Sequence, residues 1–435
     1  GILAFLLISG ISENNLAESK IIVLIIILML LIPVALLGLL FAIIFKRKKQ
    51  ISKTVSVNNL PVDSNKNGDK KQEDPTAERF CMLSGIDRKR NTYGHKSYKT
   101  NVTLEEFCEN FRNYAAYSHG LYYDIEDIRR FIAGMSVSHM LILQGMSGTG
   151  KTSLAHAIGS FIDNSSTVIP VQPMWKERTD LLGYYNEFTK RFNETLLLEK
   201  MYEANYSKDM YVAILDEMNI ARVEYYFAEF LSLLELPDPE ERYLDVVSDK
   251  WESDPIQLKE GRIKLPVNMW FIGTANNDDS TFAISDKVYD RAIPININTK
   301  GVKFDAPYTE NLNLSYKRHE AMFNEAREKY RVSDESLEKI GKLDDYVIEH
   351  FRLAFGNRIV KQLRDFVPAY VACGGTEVDG LDYVLTNKIF RKFEALNLAF
   401  IRDEIDGLIE YLSELFGEEN MQEAKDYLRR LKRLV

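Results

Sequence analysis

The sequence predicts an α/β fold: a parallel five-stranded sheet with helices on both faces, an α-helical region after it and one transmembrane helix before it. Between residues 138 and 300, short apolar runs alternate with stretches of helical periodicity, as in βα units that build a parallel sheet. After about residue 302 only helical patterns continue, and an uncharged apolar segment covers residues 21–45. These three observations divide the chain into its predicted parts.

Composition narrows the classes of function. The chain has 435 residues, of which 46% are hydrophobic, enough for more than one core. The formal net charge is −9, and because the first 49 residues are net positive, the remainder is more acidic still. This balance argues against a general binder of nucleic-acid backbones. Three widely spaced cysteines suggest neither a disulfide framework nor a zinc site, which fits a reducing compartment.

The apolar segment from Ile21 to Phe45 predicts a membrane-spanning helix. At about 1.5 Å per residue it would extend about 37 Å, more than the ~30 Å of a hydrocarbon core. A cleaved signal peptide is the alternative, but its apolar stretch is shorter, about 7–15 residues, and ends at a small-residue cleavage site. The basic cluster at residues 46–49 then places the rest of the chain in the cytoplasm. The chain begins with Gly1 instead of methionine, which suggests a fragment, and residues 2–8 could belong to an earlier membrane helix.

Local signals set the remaining boundaries. Thr103 opens a capping-box pattern that predicts a helix to about Tyr117, and a second helix over residues 125–135 leads into a strand at Met140. The predicted parts are an extracytoplasmic segment at 1–20, the transmembrane helix at 21–45, a basic then polar linker at 46–78, a helical N-terminal extension at 79–119, the α/β core at 120–301, and helical lid and C-terminal helices at 302–435.

The strongest functional signal is GMSGTGKT at residues 145–152, a full match to GxxxxGK[ST] between a predicted strand and a predicted helix. In such a loop, glycines let main-chain amides converge on phosphates, and the helix N-terminus adds its positive dipole end. Lys151 should reach the β and γ phosphates, and Thr152 should bind Mg²⁺. An incidental glycine-rich turn would lack this strand-to-helix context. The predicted nucleotide-binding residues are Gly145, Met146, Ser147, Gly148, Thr149, Gly150, Lys151, Thr152 and Ser153.

A second signal is the apolar run at residues 210–215, which ends in the adjacent carboxylates Asp216 and Glu217. Functional groups in open α/β sheets lie at such strand ends. Alone, the pair could be a solvated turn. With a phosphate loop upstream, Asp216 is predicted to hold the Mg²⁺ shell, and Glu217, on the opposite side of the pleat, to polarise the attacking water.

Three further residues are weaker candidates for catalysis. Asn276 ends the strand that begins at Met269 and could orient water against the γ-phosphate. Arg291 precedes the last predicted strand, and Arg358 lies at the start of a later helix. Arginine suits the charge that develops on a transferring phosphoryl group, although each would be a surface arginine by default.

Taken together, these motifs resemble the AAA+ superfamily over about residues 120–400, within the branch of MoxR-type ATPases, dynein- and midasin-related modules and the McrB-type GTPase. The specific matches also include DLLG at 180–183, DEMNIAR at 216–222 and the run from Leu265 to Asn276. The resemblance implies a sheet of strand order 5-1-4-3-2, a sensor role for Asn276, an arginine finger at Arg291 that acts on the neighbouring subunit, and a second sensor at Arg358. It also implies a ring, usually a hexamer.

Two departures bear on the function that the resemblance implies. Residues 275–280 read ANNDDS where the McrB-like pattern would read MNTADR, so ATP is favoured over GTP. The DNA-reading domain of McrB-type subunits is replaced by the apolar segment and linker. The expected function is therefore a membrane-anchored, Mg²⁺-dependent ATPase that remodels a protein partner. Two alternatives stay open: a GTPase that drives a partner nuclease in restriction or anti-phage defence, and a scaffold that binds nucleotide without turnover.

Overall fold

A computed structural model describes residues 78–93, 96–98, 101–276, 281–298 and 301–433. Its centre is a sheet of five parallel strands flanked by two small antiparallel hairpins. The described strands are β1 (Met140–Gly145), β2 (Thr167–Pro170), β3 (Gly183–Asn186), β4 (Arg191–Glu194), β5 (Tyr211–Asp216), β6 (Tyr243–Asp245), β7 (Arg262–Lys264), β8 (Met269–Asn276) and β9 (Ile293–Asn296).

The strand order of the main sheet is β2-β5-β8-β1-β9. These strand numbers differ from the predicted order 5-1-4-3-2 because the two hairpins, β3–β4 and β6–β7, add four strands that were not predicted from the sequence. When the main-sheet strands alone are numbered along the chain, the same sheet is 2-3-4-1-5. All pairings in it are parallel, so the carboxyl ends of the strands share one edge.

Helices cover the sheet and continue to the C-terminal end of the described chain. The helix Leu104–His119 begins with the capping box at Thr103, as predicted from the sequence. The described α-helices are Met82–Lys89, Leu104–His119, Ile125–Met135, Lys151–Phe161, Thr179–Leu182, Leu196–Ala204, Val223–Tyr226, Ala228–Leu234, Asp286–Tyr289, Tyr316–Lys329, Asp334–Phe351, Gly356–Ala372, Glu377–Lys388, Leu398–Phe416 and Gln422–Lys432.

Two apolar cores lie on the two faces of the sheet, which explains why β1 is buried along its whole length. One core packs the helices Met82–Lys89 and Leu196–Ala204 against the sheet. The other joins the sheet to the C-terminal helices, since Leu141 and Ile293 belong to the same cluster as Leu408. The helical region therefore shares its core with one face of the sheet instead of burying its apolar residues separately.

The predicted membrane location is not supported and is corrected. Among the described residues, no helix is both long and apolar enough to cross a bilayer. The longest of them, Leu398–Phe416, has 19 residues but carries charged side chains such as Arg402 and Asp403, which a hydrocarbon core excludes. The segment predicted to span the membrane, residues 21–45, lies outside the described residues.

Two histidines lie beside Trp270, one fully buried and the other partly buried. The His319 ring is fully buried, with its centroid 5.2 Å from that of Trp270 and 4.5 Å from that of Phe323. His139 stacks on Trp270 at 4.8 Å, and its Nε2 lies 2.9 Å from the carbonyl oxygen of Val267. Burial lowers the pKa of His319 to about 3 and that of His139 to about 4. Both rings are therefore neutral in the folded protein at physiological pH.

These histidines should make stability fall on acidification. The unfolded chain, with histidine pKa near 6.5, binds more protons than the folded chain between about pH 6.5 and pH 4. Lowering the pH from about 7 to 5 should reduce the free energy of unfolding by about 2 kcal/mol for each ring. Urea unfolding at both pH values tests this, and His319→Leu should lose about half of the histidine contribution. Equal pH dependence in wild type and variant would contradict the assignment.

Candidate functional site

The glycine-rich loop begins where β1 ends, and its first glycine has a steric reason. Gly145 has φ +143°, and a Cβ atom there would lie 2.3 Å from the carbonyl oxygen of Ile297. Such a contact is well inside van der Waals distance, so any side chain would push β1 away from the segment that follows β9. The loop can therefore approach this closely only with glycine at residue 145.

The last glycine of the loop starts the helix Lys151–Phe161. Gly150 has φ +89°, and its carbonyl accepts a hydrogen bond of 2.8 Å from the hydroxyl of Tyr123. The Lys151 side chain is buried and folds back over the loop, where Nζ donates to the carbonyls of Gly145 at 3.1 Å and Met146 at 2.7 Å. The loop, the helix N-terminus and the Lys151 ammonium thus lie together, an arrangement suited to phosphates.

Asp216 lies directly beside this loop. The hydroxyl of Thr152 donates to Asp216 Oδ1 at 2.8 Å, and the hydroxyl of Thr274 donates to the same oxygen at 2.9 Å. Thr274 also accepts a hydrogen bond of 2.9 Å from the main-chain amide of Glu217. One threonine of β8 therefore fixes both carboxylate residues at the end of β5, next to the phosphate loop.

The oxygens of Thr152 and Asp216 fit a magnesium ion. Mg²⁺ takes oxygen ligands in octahedral geometry at about 2.0–2.1 Å, which places neighbouring ligands about 2.9 Å apart. The observed separation of Thr152 Oγ1 from Asp216 Oδ1, 2.8 Å, matches this spacing. These two side chains would hold the ion, and the ion would supply charge neutralisation beside the phosphates.

Glu217 is oriented by a turn and not by the pleat of a strand. β5 ends at Asp216, and Glu217 has φ +51°, in the left-handed region that residues other than glycine seldom adopt. The side chain is exposed at the carboxyl edge of the sheet. Strand alternation therefore does not set the direction of the Glu217 side chain, which lies at the carboxyl edge because Glu217 directly follows β5. Backbone strain of this kind clusters at functional sites.

Asn276 ends β8 and pairs in register with Gly145 of the phosphate loop. Its main-chain carbonyl accepts hydrogen bonds from the Nδ2 of Asn219 at 2.9 Å and from the hydroxyl of Thr281 at 2.9 Å. Asn219 is 3% exposed and also exchanges hydrogen bonds with the main chain of Phe282. The segment after β5 and the segment after β8 are thereby joined, which fixes the main chain at Asn276.

Arg291 and Arg358 lie together at the opposite edge of the sheet. Arg291 Nε donates to Glu235 Oε2 at 2.6 Å, and Arg358 Nη2 lies 2.7 Å from Glu235 Oε1. The cavity beside them, about 660 Å³, is lined by residues 135–139, which precede β1. Because β1 has six residues of about 3.3 Å rise, the two arginines are roughly 20 Å from their own phosphate loop.

The structure places a different arginine of the helical region beside Asn276. Arg391 and Asn276 line one cavity of about 310 Å³ at the carboxyl edge. The Arg391 guanidinium carbon lies 3.6 Å from the ring centroid of Tyr289, and Nη2 donates to Asp286 Oδ1 at 2.6 Å. Its buried Nε has no hydrogen-bond partner within the described part of the chain. Arg391 therefore occupies the side of the fold where the sequence analysis expected Arg358.

Sequence reasoning also missed Thr274 and Glu235. Thr274 could have been found, because side chains two residues apart in a strand share a face, and Asn276 had already been selected. Glu235 offered no such signal. It ends a short helix far in sequence from both arginines, and their meeting depends on the packing of three separate elements.

Residues 140–292 match the family model described as AAA domain (dynein-related subfamily). No curated protein shows a significant match to the chain. Among solved structures, the chain is similar to a full-length MCM homologue from Methanopyrus kandleri, with a TM-score of 0.38 and 10% identity over 67% of this chain. The chain spans 62% of that protein's length. The family match supports an AAA+ nucleotide-binding core and nucleoside triphosphatase activity in general, without separating ATP from GTP.

Proposed function

We propose that the chain is a Mg²⁺-dependent ATPase of the AAA+ type that works as a ring of identical subunits, a hexamer, and remodels a protein partner. The observation that carries this proposal is the hydrogen-bonded contact of Thr152 with Asp216 beside the glycine-rich loop. The loop supplies phosphate ligands, Asp216 a magnesium ligand and Glu217 a base. A molecule that only bound nucleotide would not require the third of these groups.

Each residue at the carboxyl edge has a distinct task in this proposal. The main-chain amides of the loop and Lys151 hold the triphosphate, and Thr152 and Asp216 hold the ion. Glu217 accepts a proton from the attacking water, and Asn276 orients that water toward the γ-phosphate. Arg391, beside Asn276, adds positive charge from the helical region on the same side.

Arg291 and Arg358 are proposed to serve a neighbouring subunit. They lie too far from their own phosphate loop to act on it, and they share one carboxylate, Glu235. Two guanidinium groups around one anion form a fork that also suits a phosphate. In a ring, the γ-phosphate of the neighbour would replace Glu235 as their partner, so the site is complete only between two copies.

The finer relationship is also a proposal. The chain carries a β-hairpin, β3–β4, that begins at Gly183, the last residue of the DLLG segment, where the sequence resembles MoxR-type, dynein-related and McrB-type modules. We assign it to that branch and to the remodelling of a protein partner.

One observation favours GTP as the second candidate substrate. Asp127 lines a cavity of about 800 Å³ that also contains Gln144, the residue before the phosphate loop. Burial raises the pKa of Asp127 to about 6, with Arg130 acting in the opposite direction. A carboxylate can accept two adjacent N–H groups from guanine but only one amino group from adenine. A GTPase subunit that drives a partner nuclease would follow from such a preference.

Phosphate release by the purified chain tests the function. We expect Mg²⁺-dependent release from ATP, with GTP competing more weakly than ATP at equal concentration. The specific activity should rise with protein concentration, because Arg291 reaches only a neighbouring subunit, and Arg291→Ala should abolish most of that rise. An equal rate per molecule at all concentrations would contradict the intersubunit site, and stronger competition by GTP would favour the second candidate.

A further inference from the structure

The loop that carries Arg291 is held by a buried lysine of the helical region. Lys388 ends the helix Glu377–Lys388 and is 4% exposed. Its Nζ donates to the carbonyl of Tyr289 at 2.6 Å and to the carbonyl of Ala292. These two carbonyls lie on either side of Asp290 and Arg291, so the lysine grips the main chain at both ends of the arginine's turn.

The chemistry of Lys388 matches this task. Burial lowers its pKa to about 7, an effect that the charge of Asp290 opposes and those of Arg391, Lys392 and Arg358 reinforce. A neutral amine has two N–H donors, the number needed for two carbonyls. An apolar side chain would fill the same space without any desolvation cost. The polar group at this position therefore serves the geometry of the turn more than the packing of the core.

The same helix is connected, through Asn296 of β9, to the strand that leads into the phosphate loop. Asn387, next to Lys388, accepts a hydrogen bond of 2.7 Å from Asn296 Nδ2, and Asn296 Oδ1 accepts one of 2.6 Å from Gln144 Nε2. The hydroxyl of Tyr289 donates to Gln144 Oε1 at 2.6 Å. Gln144 immediately precedes Gly145. Hydrogen bonds thus join the phosphate loop of one site to the arginine that serves the next.

We propose that Lys388 is a positioning residue that holds the turn at Arg291 in the orientation needed for hydrolysis in the neighbouring subunit. The inference rests on the proposed function, in which Arg291 acts between subunits. Lys388 acts through Arg291 and does not touch the nucleotide. Its removal should therefore change turnover in the neighbouring subunit and leave nucleotide binding by its own subunit unchanged.

Steady-state kinetics of the full chain with Mg²⁺-ATP give the first test. Lys388→Met should lower kcat by about tenfold or more, with nucleotide affinity within about twofold of wild type. Lys425→Met is the matched control, because Lys425 is also buried, at 1% exposure, and donates to the carbonyls of Gly417 and Glu418 away from Arg291. It should lower the unfolding midpoint without lowering kcat. Lys388→Gln, which keeps two N–H donors, is the conservative variant and should retain kcat close to that of wild type. If Lys388→Met does not fold, Lys388→Leu takes its place.

A double-mutant cycle separates positioning from a general structural role. If Lys388 acts only through Arg291, the change Lys388→Met should have no further effect on kcat in the background of Arg291→Ala. Additive losses would overturn the proposal, since they would show that Lys388 supports catalysis by another route.

Mixed assemblies give the second test. Subunits with Glu217→Gln should hydrolyse very slowly but present an intact Arg291, whereas subunits with Lys388→Met keep their own catalytic groups. Mixing the two should restore turnover above the sum of the separate preparations, and an absence of restoration would overturn the proposal. Failure of the proposed function looks different: the wild-type chain itself would release no phosphate, or Arg291→Ala would hydrolyse at the wild-type rate, and Lys388 would then have no role to fill.

Discussion

Glu217→Gln should reduce kcat for nucleotide hydrolysis by roughly 10²- to 10⁴-fold, the usual effect of losing a general base. Nucleotide binding should persist, because the phosphate loop, Lys151 and the Thr152–Asp216 contact are unchanged. The main-chain amide of Glu217 donates to Thr274, and glutamine keeps that hydrogen bond and the same side-chain length. The substitution therefore removes the proton acceptor with little change in shape.

Single-turnover phosphate release and equilibrium nucleotide binding, measured on the same preparation, provide the test. Glu241→Gln is the matched control, since Glu241 is exposed on the segment before β6 and away from the phosphate loop. It should behave as wild type in both measurements. Equal rates of hydrolysis by wild type and Glu217→Gln would show that another residue acts as the base. If neither protein hydrolyses nucleotide, a nucleotide-binding scaffold would be favoured.

The sequence predicted the parts of this site that depend on local pattern. The phosphate loop is one continuous motif whose three glycines all adopt positive φ, and the strand before Asp216 is apolar because both faces of the sheet are covered. Both patterns can be recognised in the sequence without knowledge of the tertiary structure. The same holds for the helix that begins after Thr103, where the capping box and its helix coincide.

The two hairpins and the position of Arg358 could not be predicted from local sequence patterns. β6 and β7 have three residues each and bury one residue apiece, so no periodic pattern distinguishes them from loops. Arg358 lies in the first turn of a helix that begins with a glycine. This local pattern does not indicate at which edge of the sheet the helix begins. The position of Arg358 depends on how the helix Gly356–Ala372 packs at the amino edge of the sheet, which is a property of the tertiary structure.

The second large effect is expected in folding, at a buried ion pair that ties residue 79 to the loop between β6 and β7. Arg79 Nε and Nη2 each lie 2.7 Å from an oxygen of Asp254, and the two side chains are 3% and 5% exposed. Arg79 Nη2 also donates to the carbonyl of Asp249 at 2.5 Å, and its guanidinium lies 4.4 Å from the ring centroid of Trp251. The segment before the first described helix is thereby fixed to the core domain.

Arg79→Met should lower the free energy of unfolding by about 3–5 kcal/mol, because it leaves the Asp254 carboxylate buried without its countercharge. Urea unfolding measures this as a lower midpoint at constant slope. Arg88→Met is the control: Arg88 pairs with Glu78 at 3.0 Å, but the side chains are 66% and 45% exposed, so the loss should stay below about 1 kcal/mol. Equal losses in both variants would contradict the prediction.

The unpaired carboxylate, more than the lost contact, should cause most of that loss. The double variant Arg79→Met with Asp254→Asn should therefore be more stable than Arg79→Met alone, since the amide carries no charge and its oxygen can still accept the hydrogen bond from the main-chain amide of Trp251. If the double variant were instead less stable than the single one, the stabilisation would reside in hydrogen bonds of Asp254 that are independent of Arg79. The sign of the difference thus separates charge burial from hydrogen bonding at this junction.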